Sequence, residues 1–361
     1  MQLPDGVPIV TQTDVTFLMP DPHSEYDGVR LELDFSVAPA DLDFSAVDGG
    51  WQLVLPRPAV GRFEYQFTLR RGQDYEWTID PANPASVPNP FGAKSEVRFP
   101  DYEEPHWLDS VAAGSSLSIK TRPRFLSQAV PVTLWSPEGL DPRQMTPLLI
   151  ANDGSDMADR GSLLGWATAA QAAGPFRVAL LDPPHGLRDE WYAANPAYAD
   201  EIVRSVLPAI RRKVRVGAVV GLGASLGGLA MVALQARHPA AVSALAVQSG
   251  SYFTADLDAQ ESDFYHFAQI CSAVTAIAER SHSQVRPVPV LITCGVVEEN
   301  FANNLAMAAA LAGQGYELRM REVADAHTMI GWRDCWSPDL EELLIAASRT
   351  LSGAGLGGKR D

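Results

Sequence analysis

The sequence predicts an α/β protein in two parts: a small β-sandwich, then a mostly parallel sheet with helices on both faces. Three observations carry this. The first third holds short alternating apolar runs separated by turn signals. After about Val130, near-continuous apolar runs alternate with amphipathic stretches. The chain has 361 residues, more than one apolar core usually serves.

In the first part, Val29, Leu31, Leu33 and Phe35 alternate with polar residues, as in a strand buried on one face. Trp51, Leu53 and Leu55 repeat the pattern, as do Phe63, Tyr65, Phe67 and Leu69. Asp48-Gly49-Gly50, Pro58 to Gly61 and Arg71-Gly72 punctuate these runs. Several short strands at this spacing suggest a sandwich. A segment rich in Pro, Asn and Gly follows from Asp80 to Pro105. The expected division is 1–125 for the β domain, 126–352 for the α/β domain and 353–361 for a small, Gly-rich, frayed tail.

In the second part the strands are expected at VPVTLW, TPLLIA, RVALLD, GAVVGL, VSALAV, VPVLIT and LRMREV. Helices are expected over Gly161–Ala173, Ala199–Lys213, Gly227–His238, Asn303–Gly313 and Asp339–Leu351. The segment Thr254–Arg286, with Tyr265 and Phe267, is long and mixed. Its periodicity leaves a lid and a pocket wall both open.

Composition excludes several classes. A formal net charge of −16 repels phosphate backbones, so nucleic acid is a poor partner. No apolar run approaches a membrane span. The start, MQLPDGVPIV, lacks the basic and apolar regions of a signal peptide, so a cytoplasmic location is expected. Cys271, Cys294 and Cys335 have neither metal-type spacing nor an even count, which argues against a disulfide framework.

The sharpest signal is GAVVGLGASLGGLAMVALQARHP. An apolar strand runs into Gly223-Ala224-Ser225-Leu226-Gly227, and a helix leaves it. This is G-x-S-x-G in a strand-turn-helix context, the nucleophile elbow of the α/β-hydrolase fold. The turn is tight enough that side chains two positions before and after the serine would collide, which calls for glycine at both. The serine hydroxyl is lifted above the sheet edge, and the Leu226 N–H at the helix start faces a developing oxyanion. Such a nucleophile needs an acid and then a histidine later in the chain. VPVLITC ends in Gly295-Val296-Val297-Glu298-Glu299-Asn300, which puts carboxylates past a strand end. LRMREV ends in Ala324-Asp325-Ala326-His327, where the base is needed. Of seven histidines, only His327 follows the last strand. Glu298 is the first choice of acid, with Glu299 and Asp325 as competitors. His185 follows a strand on the correct edge and is expected near the pocket. His238 reads as a helix-end feature, and His266 and His282 as surface or lid residues.

These residues resemble the enterochelin esterase branch of the esterase D family, over nearly the whole chain. GASLGGLA is similar to that family's G-x-S-x-GG-x-A. Arg188 to Tyr192, then Asn195, Tyr198, Glu201 and Leu207-Pro208, are similar to its R-x-x-E-[LY], Asn, aromatic and E-L-x-P run. Gln248 to Tyr252 resembles its S-x-S plus aromatic. Gly295-x-x-Glu298 with Asn303 or Asn304 resembles its G-x-x-E…N, and Asp325-Ala326-His327 with Trp332-Arg333 its G-G-H…W-R. Trp51, Tyr65 to Phe67, Asp80, Asn83, Phe91-Gly92 and Ser95 resemble a glycogen-branching-type carbohydrate module, without implying sugar binding.

The resemblance implies an esterase cleaving acyl-serine or similar lactone bonds of a catecholate siderophore, a small-molecule substrate that would be taken in ferric form. It implies an oxyanion loop at Asn152-Asp153-Gly154-Ser155, with a second donor from Gly154 or Ser155. It places Arg188, Asp153 and Tyr252 at the substrate. The chain departs from the pattern at four places. Ala224 replaces a Gln, Asp325-Ala326 replaces Gly-Gly, Ser155-Asp156-Met157 lacks the aromatic after D-G, and Phe253-Thr254 replaces a paired Trp. The chemistry implied is acyl transfer through Ser225 and His327, with no metal or organic cofactor. A carbohydrate or generic acyl-ester hydrolase, an acyltransferase, and a non-catalytic binding protein on the same scaffold are the competing readings.

Overall fold

The computed structural model describes residues 7–37, 41–89 and 92–356. These form two compact units. The first is Met1–Glu104 together with Gly295–Glu299 and Val323–Gly331; the second is the remainder. The boundary expected near residue 125 thus lies earlier, and two short segments from far along the chain group with the first unit. Of the expected tail, residues up to Leu356 belong to a helix, and 357–361 lie outside the described residues, as does Phe91.

The first unit contains β1 (Ile9–Val10), β2 (Asp14–Pro20), β3 (Gly28–Leu33), β4 (Ser45–Val47), β5 (Gly50–Pro56), β6 (Arg62–Arg71), β7 (Asp74–Thr78), β8 (Ser86–Val87) and β9 (Lys94–Arg98). One antiparallel sheet runs β1-β2-β5-β4, and another runs β3-β6-β9-β8 with β7 also on β6. The register puts Leu31 opposite Phe67 and Leu33 opposite Tyr65, so the alternating apolar residues share a face. Phe17 and Leu55 of the first sheet join Leu31, Phe63, Tyr65 and Phe67 of the second in one buried cluster. Each buried phenyl ring contributes about 1.5–3 kcal/mol. Ala326 and the partly buried Val297, from the two later segments, belong to the same cluster. On β6 the opposite face is buried too: Arg62 and Glu64 are 0% and 4% exposed. Period-2 alternation alone would leave those two charges in solvent.

The second unit contains an eight-stranded sheet, ordered β10-β11-β13-β12-β14-β15-β16-β17. The strands are β10 (Gly114–Ser118), β11 (Val132–Pro137), β12 (Thr146–Asn152), β13 (Arg177–Leu181), β14 (Val216–Ala224), β15 (Ala244–Gln248), β16 (Val290–Gly295) and β17 (Leu318–Val323). From β13 to β16 the neighbours run parallel, while β10 and β11 are antiparallel at one edge. β10 is exposed along its length, so its Ser-rich sequence carries no burial pattern to read.

The helices are α1 (Gly154–Asp159), α2 (Leu163–Ala170), α3 (Arg188–Tyr192), α4 (Pro196–Glu201), α5 (Leu207–Arg211), α6 (Leu226–Arg237), α7 (Phe267–Ala278), α8 (Phe301–Gly313), α9 (Met329–Arg333) and α10 (Asp339–Leu356). The helix expected over Ala199–Lys213 starts earlier. Asn195 accepts from the Ala197 N–H and Pro196 occupies the first turn, a strong N-terminal signal. A π-helical turn, Ile202–Val206, separates α4 from α5, next to Pro208, which has no N–H to give. Phe267–Ala278, left open by the sequence, is an amphipathic helix burying Ile270, Val274 and Ile277. No helix among the described residues is long and apolar enough to cross a membrane.

Candidate active site

In the second unit, the candidate nucleophile sits between β14 and α6. Ser225 has φ 55° and ψ −129°, a conformation that costs a non-glycine residue on the order of 1–3 kcal/mol. Main-chain contacts over-determine it. The Ser225 N–H donates to the Gln248 carbonyl at 2.8 Å, its carbonyl accepts from Ser251 at 3.2 Å, and that carbonyl also receives the Gly228 N–H at 3.0 Å. The glycines flanking it are steric requirements. A Cβ on Gly223 would lie 2.3 Å from the Gly227 carbonyl oxygen; one on Gly227 would lie 3.2 Å from the Asn152 Cβ. Asn152 Nδ2 donates to the Gly227 carbonyl at 2.9 Å, and Tyr198 donates to Asn152 Oδ1 at 2.6 Å, which fixes the helix start against the end of β12.

Two further left-handed residues flank the elbow, Asp153 (φ 51°) after β12 and Ser249 (φ 46°) after β15. Strained backbone thus collects at the carboxyl ends of three adjacent strands, the edge where ligands of open α/β sheets bind. Ser249 and Gly250 are held in turn. Trp332 Nε1 donates to Ser249 Oγ at 2.9 Å, and Asn304 clamps Gly250 by accepting its N–H at 3.0 Å and donating to its carbonyl at 2.8 Å. The Ser251 hydroxyl stands 3.3 Å from that of Ser225, a neighbour that only the S-x-S resemblance hinted at.

The Leu226 N–H stands at the first position of α6, where no intrahelical carbonyl can receive it. On the facing loop, Gly154 packs so closely on β13 that a Cβ would lie 2.4 Å from the Leu180 Cβ. The Ser155 N–H, expected as an oxyanion donor, is given to Asp182 Oδ1 at 2.8 Å, and its hydroxyl to Oδ2 at 2.9 Å. Of that expected pair, the Gly154 N–H remains the candidate donor.

Arg188 and Asp153, both expected at the substrate, bond to each other as a fork, 2.8 Å from Nε and 2.8 Å from Nη2. Burial opposes the Arg188 charge, but the bonds and field of Asp153 outweigh it and raise its pKa. The pKa of Asp156, exposed in the first turn of α1, is raised by desolvation, with Arg160 opposing and Asp153 and Asp182 adding to it. Tyr252 corrects its expectation: it is 0% exposed and its hydroxyl has no hydrogen-bond partner among the described residues, so it is a core residue. Burial pushes its pKa well up. His185 is exposed, and His238 caps α6 with its Nε2 2.6 Å from Asp200.

In the first unit, the candidate base and acid meet. His327 Nδ1 lies 2.8 Å from Glu298 Oε2. The carboxylate is buried, with 1% of its side chain exposed, while the imidazole keeps 33%. Glu298 Oε1 accepts the Gly295 N–H at 2.7 Å. A carboxylate facing Nδ1 places the proton there and the lone pair on Nε2. Among the three acids weighed, Glu298 takes the histidine. Glu299 is exposed, and Asp325 Oδ2 accepts from Arg62 Nη1 at 3.1 Å. Among the described residues, no group of three or more His, Cys, Asp or Glu is arranged to hold a metal ion.

No protein-family model matches the chain, and no curated protein matches it. Solved structures do. The enterobactin esterase of Shigella flexneri, crystallised with enterobactin, superposes with a TM-score of 0.71 at 19% identity, over 96% of this chain and 97% of that one. The ferric enterobactin esterase of Salmonella typhimurium gives 0.70 at 17% identity, over 97% and 96%. A ferulic acid esterase gives 0.55 at 17% identity, over 66% of this chain and 100% of its own. At these identities the likeness is one of fold, and the chain has the fold of the enterobactin esterases over nearly its whole length.

Proposed function

We propose that the chain is a serine carboxylic ester hydrolase working through an acyl-enzyme on Ser225. The observation that carries this is the backbone of Ser225, a non-glycine residue held at φ 55° and ψ −129° at the carboxyl edge of a parallel sheet. Strain of that kind persists where the surroundings enforce it, and it clusters at sites of chemistry. The Glu298–His327 pair supplies a base with its tautomer set.

In the reaction, His327 Nε2 takes the Ser225 proton as the hydroxyl oxygen attacks the ester carbonyl. The N–H groups of Leu226 and Gly154 receive the oxyanion. The imidazolium, stabilised by Glu298, returns the proton to the leaving alcohol. Water, deprotonated in turn by His327, releases the acid and restores Ser225. Residues of the chain supply each proton transfer.

The substrate proposed is a siderophore or related acyl ester, supported by the likeness to proteins crystallised with enterobactin and 2,3-dihydroxy-N-benzoyl-serine. Two observations favour a second reading, a carbohydrate or generic acyl ester: Arg188 is engaged by Asp153, and Tyr252 is buried. A panel of iron-loaded and iron-free catecholates, acetylated sugars and feruloylated sugars separates them, with an added acceptor to reveal acyl transfer. Ser225→Ala lowers kcat by on the order of 10⁴- to 10⁶-fold on whichever ester is turned over. Undiminished turnover by that variant refutes the reading. Failure of folded protein to take a fluorophosphonate label at Ser225 points to a binding protein instead.

A further inference from the structure

We infer that Arg62 is a positioning residue for the candidate base, its guanidinium gripping the His327 turn on both flanks. The inference rests on the reading of His327 as the base of an esterase, and it gives the β-rich unit a part in the reaction.

Arg62 is 0% exposed at the start of β6. Its Nε donates to Glu96 at 2.6 Å and its Nη2 to Glu64 at 3.0 Å. Those two carboxylates already exceed its charge. Its Nη1 nevertheless reaches a third, Asp325 Oδ2 at 3.1 Å, in a turn 263 positions away, and Thr328 Oγ1 at 3.1 Å. Asp325 stands two residues before His327 and Thr328 one residue after it. Burial opposes the guanidinium charge, but Asp325, Glu64 and Glu96 outweigh it, so the grip is a charged one at working pH.

The two anchors organise the rest of the turn. Asp325 Oδ1 accepts the Ala326 N–H at 2.7 Å, and Thr328 Oγ1 accepts the Gly331 N–H at 3.0 Å. The preceding residue on β6's approach adds a main-chain bond, Gly61 N–H to the Ala324 carbonyl at 2.8 Å. Asp325 also touches the acid's turn: a Cβ on Gly295 would lie 2.2 Å from the Asp325 carbonyl oxygen. Gly295 is the residue whose N–H holds Glu298. Displacing Asp325 therefore disturbs both members of the His327–Glu298 pair. The position where the resemblance calls for glycine carries, in this chain, the carboxylate that Arg62 needs.

The test uses the full-length protein and an ester it turns over. Asp325→Ala leaves Arg62 with two carboxylates, so the fold keeps its buried charge neutralised. The expected result is a fall in kcat of about 100-fold with KM within about threefold, the signature of a misplaced catalytic group. Asp325→Asn, whose single oxygen at the Oδ1 position can still accept the Ala326 N–H and the longer 3.3 Å contact from Nη1, is expected to recover at least tenfold of that loss. Wild-type kcat in folded Asp325→Ala overturns the inference. Should Asp325→Ala fail to fold, Arg62→Lys takes its place; it keeps a charge but not the two-sided grip, and wild-type kcat there overturns the inference equally. Ser225→Ala and His327→Ala are measured alongside. Full activity in those variants refutes the esterase reading, whereas their inactivity beside a fully active Asp325→Ala refutes only the role of Arg62.

Discussion

The turn that carries Ser225 is shaped by glycines written beside the serine, although Asn152, Gln248 and Ser251 also hold it, whereas the turn that carries His327 takes its longest-range hold from Gly61 and Arg62, 263 positions away. In the first, Gly223, Gly227 and Gly228 clear the space, and the strand before and helix after define the path. In the second, bonds among Asp325, Ala326 and Thr328 close the turn, and Arg62 and Gly61 anchor it from far upstream, with Glu298 on the imidazole Nδ1. A strained nucleophile can be written as a motif because the strain is local. A base that must be aimed needs partners chosen by the tertiary fold.

The largest effect is expected at Glu298. Both of its oxygens accept, Oε1 from the Gly295 N–H and Oε2 from His327. A glutamine can offer one carbonyl oxygen, so its amide group must face one of the two donors. Glu298→Gln should therefore lower kcat by about 10³- to 10⁴-fold, either through the wrong tautomer or through a displaced turn. Stopped-flow or steady-state assays with one ester suffice. A loss below tenfold would mean that the acid lies elsewhere and that the His327 turn needs no carboxylate.

That difference also sets how much was legible in the sequence. The parallel sheet, the strained turn at Ser225 and the placing of Glu298 and His327 after strand ends could be read because each sits in a local pattern: apolar runs, paired glycines, the end of a strand. Arg62 could not, since alternation on β6 assigns it to solvent, while two of its partners, Asp325 and Thr328, come from a segment that follows β17. β10 and α7 were missed for related reasons, one exposed throughout and the other amphipathic within a mixed stretch. The substrate-facing assignments fared differently. Arg188 and Asp153 satisfy one another, and Tyr252 fills the core, because a motif aligned by resemblance carries residue type but not exposure.

The local half of the comparison is sharpened with glycines. Gly223→Ala forces a methyl to within 2.3 Å of the Gly227 carbonyl, which neither rotamer change nor side-chain motion can relieve. A loss of about 1–3 kcal/mol is expected, with lower activity because the elbow must open. Gly313→Ala is the control. It sits at the last position of α8, where an added Cβ meets nothing within 4 Å. It should be neutral or stabilise by up to about 1 kcal/mol. Thermal or urea unfolding of the pair reads the contrast directly, and equal stabilities would show that the elbow is looser than its contacts suggest.

The smallest effect is expected at Tyr252, beside the elbow yet outside the proposed chemistry. Its ring is enclosed and its hydroxyl, packed against Gly250, has no hydrogen-bond partner among the described residues. A buried unsatisfied hydroxyl costs free energy, so deleting the oxygen removes a penalty along with a little packing. Tyr252→Phe should change stability by no more than about 1 kcal/mol, toward the stable side, and leave kcat within about twofold. A tenfold fall in kcat with unchanged melting temperature would restore Tyr252 to the reacting groups. It would also imply that the loop after β15, clamped by Asn304, opens far enough during turnover to present that hydroxyl to substrate.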